Sequence, residues 1–167
     1  MFPGRAMTRL PLLRQTHPFR FLDEASLLDD PGGIIGRRLF HADEFYFPGH
    51  FPGDPIVPGV LLLEAMAQLS RAYLNARHGT IRHGTLAKVD SATFHRIVRP
   101  GECVQFRATL VRTDQGLAGE SSQYYAFKCG AHIGRERVAR AELWLHEAWS
   151  PACDFRSNTE RGEGNGC

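Results

Sequence analysis

The sequence predicts an α+β fold, with one long buried helix and an antiparallel sheet wrapped around it. Two observations carry this. Residues 60–74, Val-Leu-Leu-Leu-Glu-Ala-Met-Ala-Gln-Leu-Ser-Arg-Ala-Tyr-Leu, are strong helix formers and nearly apolar all round, as a helix buried on most of its faces must be. Strand-like segments then follow one another with no second helix between them, which excludes alternating βαβ units. A length of 167 residues suits one domain and allows a core that needs no disulfide or metal staples.

The elements are expected in this order. A strand covers 36–45, ahead of a cluster of Pro and Gly. The helix opens at Pro58-Gly59, runs to about Ala76 and stops at Gly79, since glycine accepts the left-handed conformation that ends a helix. Strands follow at 85–90, 104–111, 122–127 and 138–146, divided by turn signals at 99–102 (Arg-Pro-Gly-Glu), 114–116 and 130–134. Residues 1–15 read as a flexible lead-in and 16–149 as the folded domain. Residues 150–167, polar and Gly-rich, read as a disordered tail.

Composition narrows the function. The net charge is only +2, and the eighteen arginines, against Lys88 and Lys128, form no stripe. No nucleic-acid partner is expected. Cys103, Cys129, Cys153 and Cys167 include no pair at CxxC spacing, so no metal knuckle, redox dithiol or disulfide scaffold is expected. The N-terminus lacks the continuous apolar stretch of a signal peptide. The longest apolar run, 60–63, is far short of a membrane span. A cytoplasmic protein with no membrane partner is expected.

Residues 47–68 carry the chemistry: Phe-Pro-Gly-His-Phe-Pro-Gly-Asp-Pro-Ile-Val-Pro-Gly-Val-Leu-Leu-Leu-Glu-Ala-Met-Ala-Gln. Pro48, Pro52, Pro55 and Pro58 fix φ at four places, and Gly49, Gly53 and Gly59 allow bends between them, which makes a stiff loop. The loop leads straight into the helix, whose first N–H groups are free to meet a ligand. Glu64 and Gln68 share a helix face, with Arg71 one turn further. A carboxylate in so apolar a helix is expensive unless it has partners or a task. An imidazole at His50, the Glu64 carboxyl and a helix N-terminus together suit proton removal beside a carbonyl with loss or gain of a leaving group. Taken singly, His50 could be a packed loop residue, and Glu64 could form a structural ion pair with Arg71.

The motif Gly49-His-Phe-Pro-Gly-x-Pro-x-x-Pro-Gly59, followed by Glu64-Ala-x-Ala-Gln68, closely resembles 3-hydroxyacyl-[acyl-carrier-protein] dehydratases of the FabZ type. Val89-Asp90 through Phe94, Val98-x-Pro-Gly-Glu102 and the opening His17-Pro-Phe-Arg-Phe-Leu-Asp23 are similar to further stretches of that family. The resemblance spans roughly residues 16–148. It implies a hotdog fold and a homodimer with shared active sites, assembled further into a hexamer or paired with a related subunit as a heterodimer. It implies dehydration of 3-hydroxyacyl-[acyl-carrier-protein] to the trans-2-enoyl product in fatty-acid, polyketide or polyene biosynthesis. No cofactor is implied, because the substrate rides on the phosphopantetheine arm of acyl carrier protein.

By the same resemblance His50 is the catalytic base and Glu64 the acid. The N–H of Gly59 polarises the thioester carbonyl, and Gln68 orients Glu64. The related isomerising enzymes of the FabA type carry Asp at the position of Glu64, so Glu favours plain dehydration. Arg96 and Arg99 are expected to meet the acidic carrier protein. The chain departs from the family pattern at Asp54, Lys88, Thr93 and His95, departures that bear on the substrate tunnel and the docking surface. Two other functions fit the fold. One is a hotdog thioesterase, against which the His-Phe-Pro loop argues. The other is a non-catalytic subunit supporting an active partner, against which the retention of both His50 and Glu64 argues.

Overall fold

A computed structural model describes residues 13–29, 33–82, 84–115 and 122–148. Six strands and one helix are arranged in chain order as β1 (Glu24–Leu27), β2 (Gly33–Leu39), α1 (Gly59–His78), β3 (Thr85–Phe94), β4 (Cys103–Gln115), β5 (Ser122–Ile133) and β6 (Glu136–Ala148). The strands form one antiparallel sheet in the order β1-β2-β4-β5-β6-β3. The helix lies on one face of this sheet and packs against β2 through β6. This is the hotdog arrangement.

Alternation decides which face meets the helix. Val104, Phe106 and Ala108 of β4 are buried, while Gln105, Arg107 and Thr109, each following one of them, are partly exposed. Helix and sheet approach closely at Gly36, where a Cβ would come within 2.9 Å of Leu69 Cδ1. Leu62, Met66, Leu69 and Tyr73 supply the helix side of the core, with Phe21, Phe40, Phe106 and Phe127 around them. Burying each such side chain stabilises the fold by about 1.5–3 kcal/mol.

The helix starts and stops where glycine and proline place the signals. Pro58 precedes it, and Gly79 ends it with φ 68°. Other boundaries differ from the sequence reading. The expected strand at 36–45 begins at Gly33 and ends at Leu39, and beyond it the chain makes turns of its own, the Glu44 N–H bonding to the His41 carbonyl and the Phe47 N–H to the Glu44 carbonyl. Gly130 lies inside β5, and the turn expected at 130–134 narrows to Gly134 and Arg135 between β5 and β6. Asp114 and Gln115 extend β4, while residue 116 lies outside the described residues. The strand β1, Glu-Ala-Ser-Leu, alternates polar and apolar residues but is only four residues long, too short for the pattern to stand out in the sequence. Of the lead-in, residues 1–12 lie outside the described residues, and Leu13 is buried in the core. The expected tail, 150–167, lies wholly outside the described residues, as does residue 149 at the end of the expected domain.

Candidate active site

The stiff loop is organised around His50. Its root is held by Arg38, which donates to Asp23 at 2.7 Å and also to the buried Glu44. The His50 N–H bonds to the Tyr46 carbonyl at 3.0 Å, and the His50 carbonyl accepts from the Ile56 N–H at 2.9 Å. Downstream, the Val57 N–H donates to the Val98 carbonyl at 2.8 Å, anchoring the loop just before the helix. The His50 ring stacks on Phe51 at 4.3 Å between centroids.

One contact sets the chemistry of His50. Its Nδ1 lies 3.0 Å from the Ile56 carbonyl oxygen, an acceptor that demands a proton on Nδ1. The neutral ring then carries its free lone pair on Nε2, the tautomer a base requires.

The helix supplies the other groups. Gln68 is almost wholly buried and donates from Nε2 to Glu64 Oε1 at 2.8 Å. The same amide donates to the Phe19 carbonyl at 2.8 Å and accepts from the Phe21 N–H at 2.9 Å. Glu64 is thus held by a side chain that is itself fixed to the backbone of residues 19–21. Arg71 is not its partner. Arg71 instead donates to Glu147 of β6 at 3.1 Å, which removes the structural ion pair as an account of Glu64.

The N-terminus of the helix has no side-chain cap and no acidic residue in its first turn. Its partial positive charge is open to a developing negative charge. A cavity of about 500 Å³ begins at Gly59 and runs between Val60 and Leu62 of the helix and Phe94 and Ile97 beyond it. Phe94 went without a role in the sequence reading, yet its ring lies against Gly59. No local signal in the sequence places an aromatic from β3 there.

Within one chain His50 and Glu64 form no hydrogen bond with each other, and neither lines this cavity. Arg96 lines the cavity, Arg99 follows its lining residue Val98, and both are already engaged. Arg96 binds Glu102 through two hydrogen bonds, of 2.6 and 3.0 Å, and lies 2.8 Å from Glu136. Arg99 donates to Asp54 at 2.5 Å. Among the described residues no three His, Cys, Asp or Glu side chains gather where a metal ion could be held. No helix among them is long and apolar enough to cross a membrane.

A proline-stiffened loop thus presents a histidine with Nδ1 engaged, and the helix that follows presents a carboxyl held by Gln68. The family model described as "FabA-like domain" matches residues 13–142. The chain belongs to the FabA-like family. Among curated relatives it is 38% identical over 109 residues to a protein of Chloroflexus aggregans named 3-hydroxyacyl-[acyl-carrier-protein] dehydratase FabZ, covering 65% of this chain and 76% of that one. A protein of the same name from Desulforamulus reducens is 34% identical over 133 residues, covering 79% of this chain and 89% of the relative. In fold it is similar to the solved dehydratase heterocomplex ApeI:P of Xenorhabdus doucetiae, with TM-score 0.63 at 14% identity, covering 83% of this chain and 88% of that chain. Membership in the FabA-like family accounts for the pairing of a glycine-bounded histidine loop with a helix carrying Glu64 and Gln68.

Proposed function

We propose that the protein is a 3-hydroxyacyl-[acyl-carrier-protein] dehydratase of fatty-acid biosynthesis. The observation that carries this reading is the bond from His50 Nδ1 to the Ile56 carbonyl, which leaves Nε2 free to accept a proton. His50 Nε2 takes the proton from C2 of the acyl thioester. The electron pair moves into the carbonyl, and the resulting enolate oxygen is stabilised by the Gly59 N–H and the helix dipole. The pair then returns to form the C2–C3 double bond as the C3–O bond breaks, and Glu64 protonates the departing hydroxyl as water. Gln68 holds Glu64 in place. Loss of water leaves oxidation states balanced, so no redox cofactor takes part.

The partners follow from the same reading. The acyl chain enters the cavity beside Gly59 while the phosphopantetheine arm reaches back to acyl carrier protein. An acidic carrier would meet Arg96 and Arg99, and both would have to be shared with Glu102, Glu136 and Asp54. The second chain of a homodimer docks along β3. That strand stands at the sheet edge and is exposed along almost its whole length, with Leu86, Val89 and Phe94 all open. Ile97 and Val60 extend the apolar surface. A long apolar edge of this kind invites strand pairing with another chain.

The test is conversion of a 3-hydroxyacyl-carrier substrate followed by mass spectrometry. The wild type should release one water, and His50→Ala and Glu64→Gln should each lower turnover by about 10²–10⁴ with the fold intact by circular dichroism. Near-normal turnover in both variants would overturn the assignment.

A further inference from the structure

A second hollow, of about 330 Å³, lies on the other side of the sheet and shares no residue with the cavity at Gly59. Ile35, Gln105, Arg107 and His132 line it from β2, β4 and β5, with Leu28 at one end and Arg135 of the β5–β6 hairpin at the other. Ile35 and Arg107 are register partners, and their strand neighbours Gly36 and Phe106 face the helix. Their own side chains therefore point away from it.

The charge here is unbalanced. Arg37, Arg38, Arg71, Arg82, Arg96, Arg99 and Arg112 each lie within ion-pair distance of a carboxylate. Among the described residues, Arg107 and Arg135 have no such partner, a state they share with Arg77, Arg137 and Arg140, and of the five these two line the hollow, in which no acidic residue stands. Burial and the nearby Arg137 both hold the His132 pKa below its ordinary value, so its ring is neutral at pH 7 and adds hydrogen bonding without charge.

We propose that this hollow is a binding site for a small organic carboxylate. The planar guanidinium groups of Arg107 and Arg135 match a carboxylate in geometry and charge. Leu28 and Ile35 offer apolar surface to a short hydrocarbon body, which an inorganic anion would leave unused. The volume lies within the range of small-molecule sites.

Calorimetric titration of the full-length protein with octanoate, acetate and octanol tests this, with hydrogen exchange to locate the ligand. Octanoate should bind saturably and protect the backbone of residues 130–137. Acetate lacks the hydrocarbon and octanol the charge, so each should bind at least about tenfold more weakly, the effect of one good charged or apolar contact. Arg107→Gln/Arg135→Gln should weaken octanoate by at least about tenfold while dehydration is unchanged. Arg135→Gln alone, on an exposed hairpin, repeats the test should the double variant not fold. The proposal is overturned by absence of saturable binding, by undiminished affinity in the folded arginine variants, by equal affinity for octanol, or by protection confined to residues 56–60 and 94–98.

Discussion

A Cβ at position 59 would lie 3.0 Å from the ring of Phe94, so a side chain on the first residue of the helix presses on the last residue of β3 and the ring must give by a few tenths of an ångström. Glycine is the residue that fits without displacing Phe94 at the point where the helix N-terminus opens onto the cavity. Gly59→Ala should lower kcat/KM at least about tenfold, since a small displacement of an oxyanion donor is costly. Phe94 is 47% exposed and can tilt, so stability should change little. Adding Phe94→Ala to Gly59→Ala should restore part of the activity, a coupling that a double-mutant cycle measures directly. Wild-type kcat/KM in Gly59→Ala would show that the ring yields freely.

Gln68 joins three parts of the molecule, because one amide bonds to Glu64 and to the backbone of Phe19 and Phe21. Gln68→Leu keeps the bulk and removes all three bonds. The Phe21 N–H loses its acceptor in the interior, which costs about 1–3 kcal/mol. Urea unfolding at fixed protein concentration should show that loss. Turnover should fall further than the folded fraction does, because Glu64 is no longer held. A loss of stability with kcat unchanged would make Gln68 purely structural.

The stiff loop, the helix and its stop were legible because proline, glycine and apolar composition act over a few neighbouring residues. His50, Glu64 and Gln68 were legible for the same reason, being close in sequence and set in a specific motif. Long-range partners were not. Arg71 and Glu147 lie 76 positions apart, and no spacing rule connects them. The Arg71 guanidinium also fills the space beside Gly84, where a Cβ would lie 1.5 Å from Nη2. Asn75 accepts from the Arg82 N–H at 3.1 Å. Glu64, Gln68, Arg71 and Asn75 thus form a polar stripe on a helix whose composition reads as apolar, and three of them tie that stripe to other elements.

The turn after β3 should carry an acid-sensitive share of stability. The hydrogen bond from Arg96 holds the Glu102 carboxyl below the usual carboxylate range, with the Arg99 N–H adding to the effect. A depressed folded-state pKa means stability that is present above the unfolded value and lost as pH falls through the folded value. Glu102→Gln should therefore be less stable than wild type at pH 7, by about 1 kcal/mol. That gap should close as the pH drops below the ordinary carboxylate range. Denaturant titrations at both pH values check it, and a gap that is independent of pH would remove the ion pair as its cause.

His50 and Glu64, the groups proposed to catalyse the reaction, are expected to meet across a dimer. Within one chain His50 bonds to Ile56 and Glu64 to Gln68, with no bond between them. The cavity at Gly59 is lined by neither, and its wall at Phe94 and Ile97 is open. If a second chain pairs along β3, two-fold symmetry creates two equivalent sites, each taking His50 from one chain and Glu64 from the other. His50→Ala and Glu64→Gln chains should each have lost nearly all activity alone. Unfolded together and reassembled at random, a site is intact only when its histidine comes from a Glu64→Gln chain and its glutamate from a His50→Ala chain. Each condition is met half the time, so about a quarter of wild-type activity should return. That fraction holds whether the dimers stay apart or assemble further, because it is counted per site. Were both groups drawn from one chain, every site would carry a lesion. Native mass spectrometry verifies that mixed dimers have formed, and no recovery in their presence would place the whole site within a single chain.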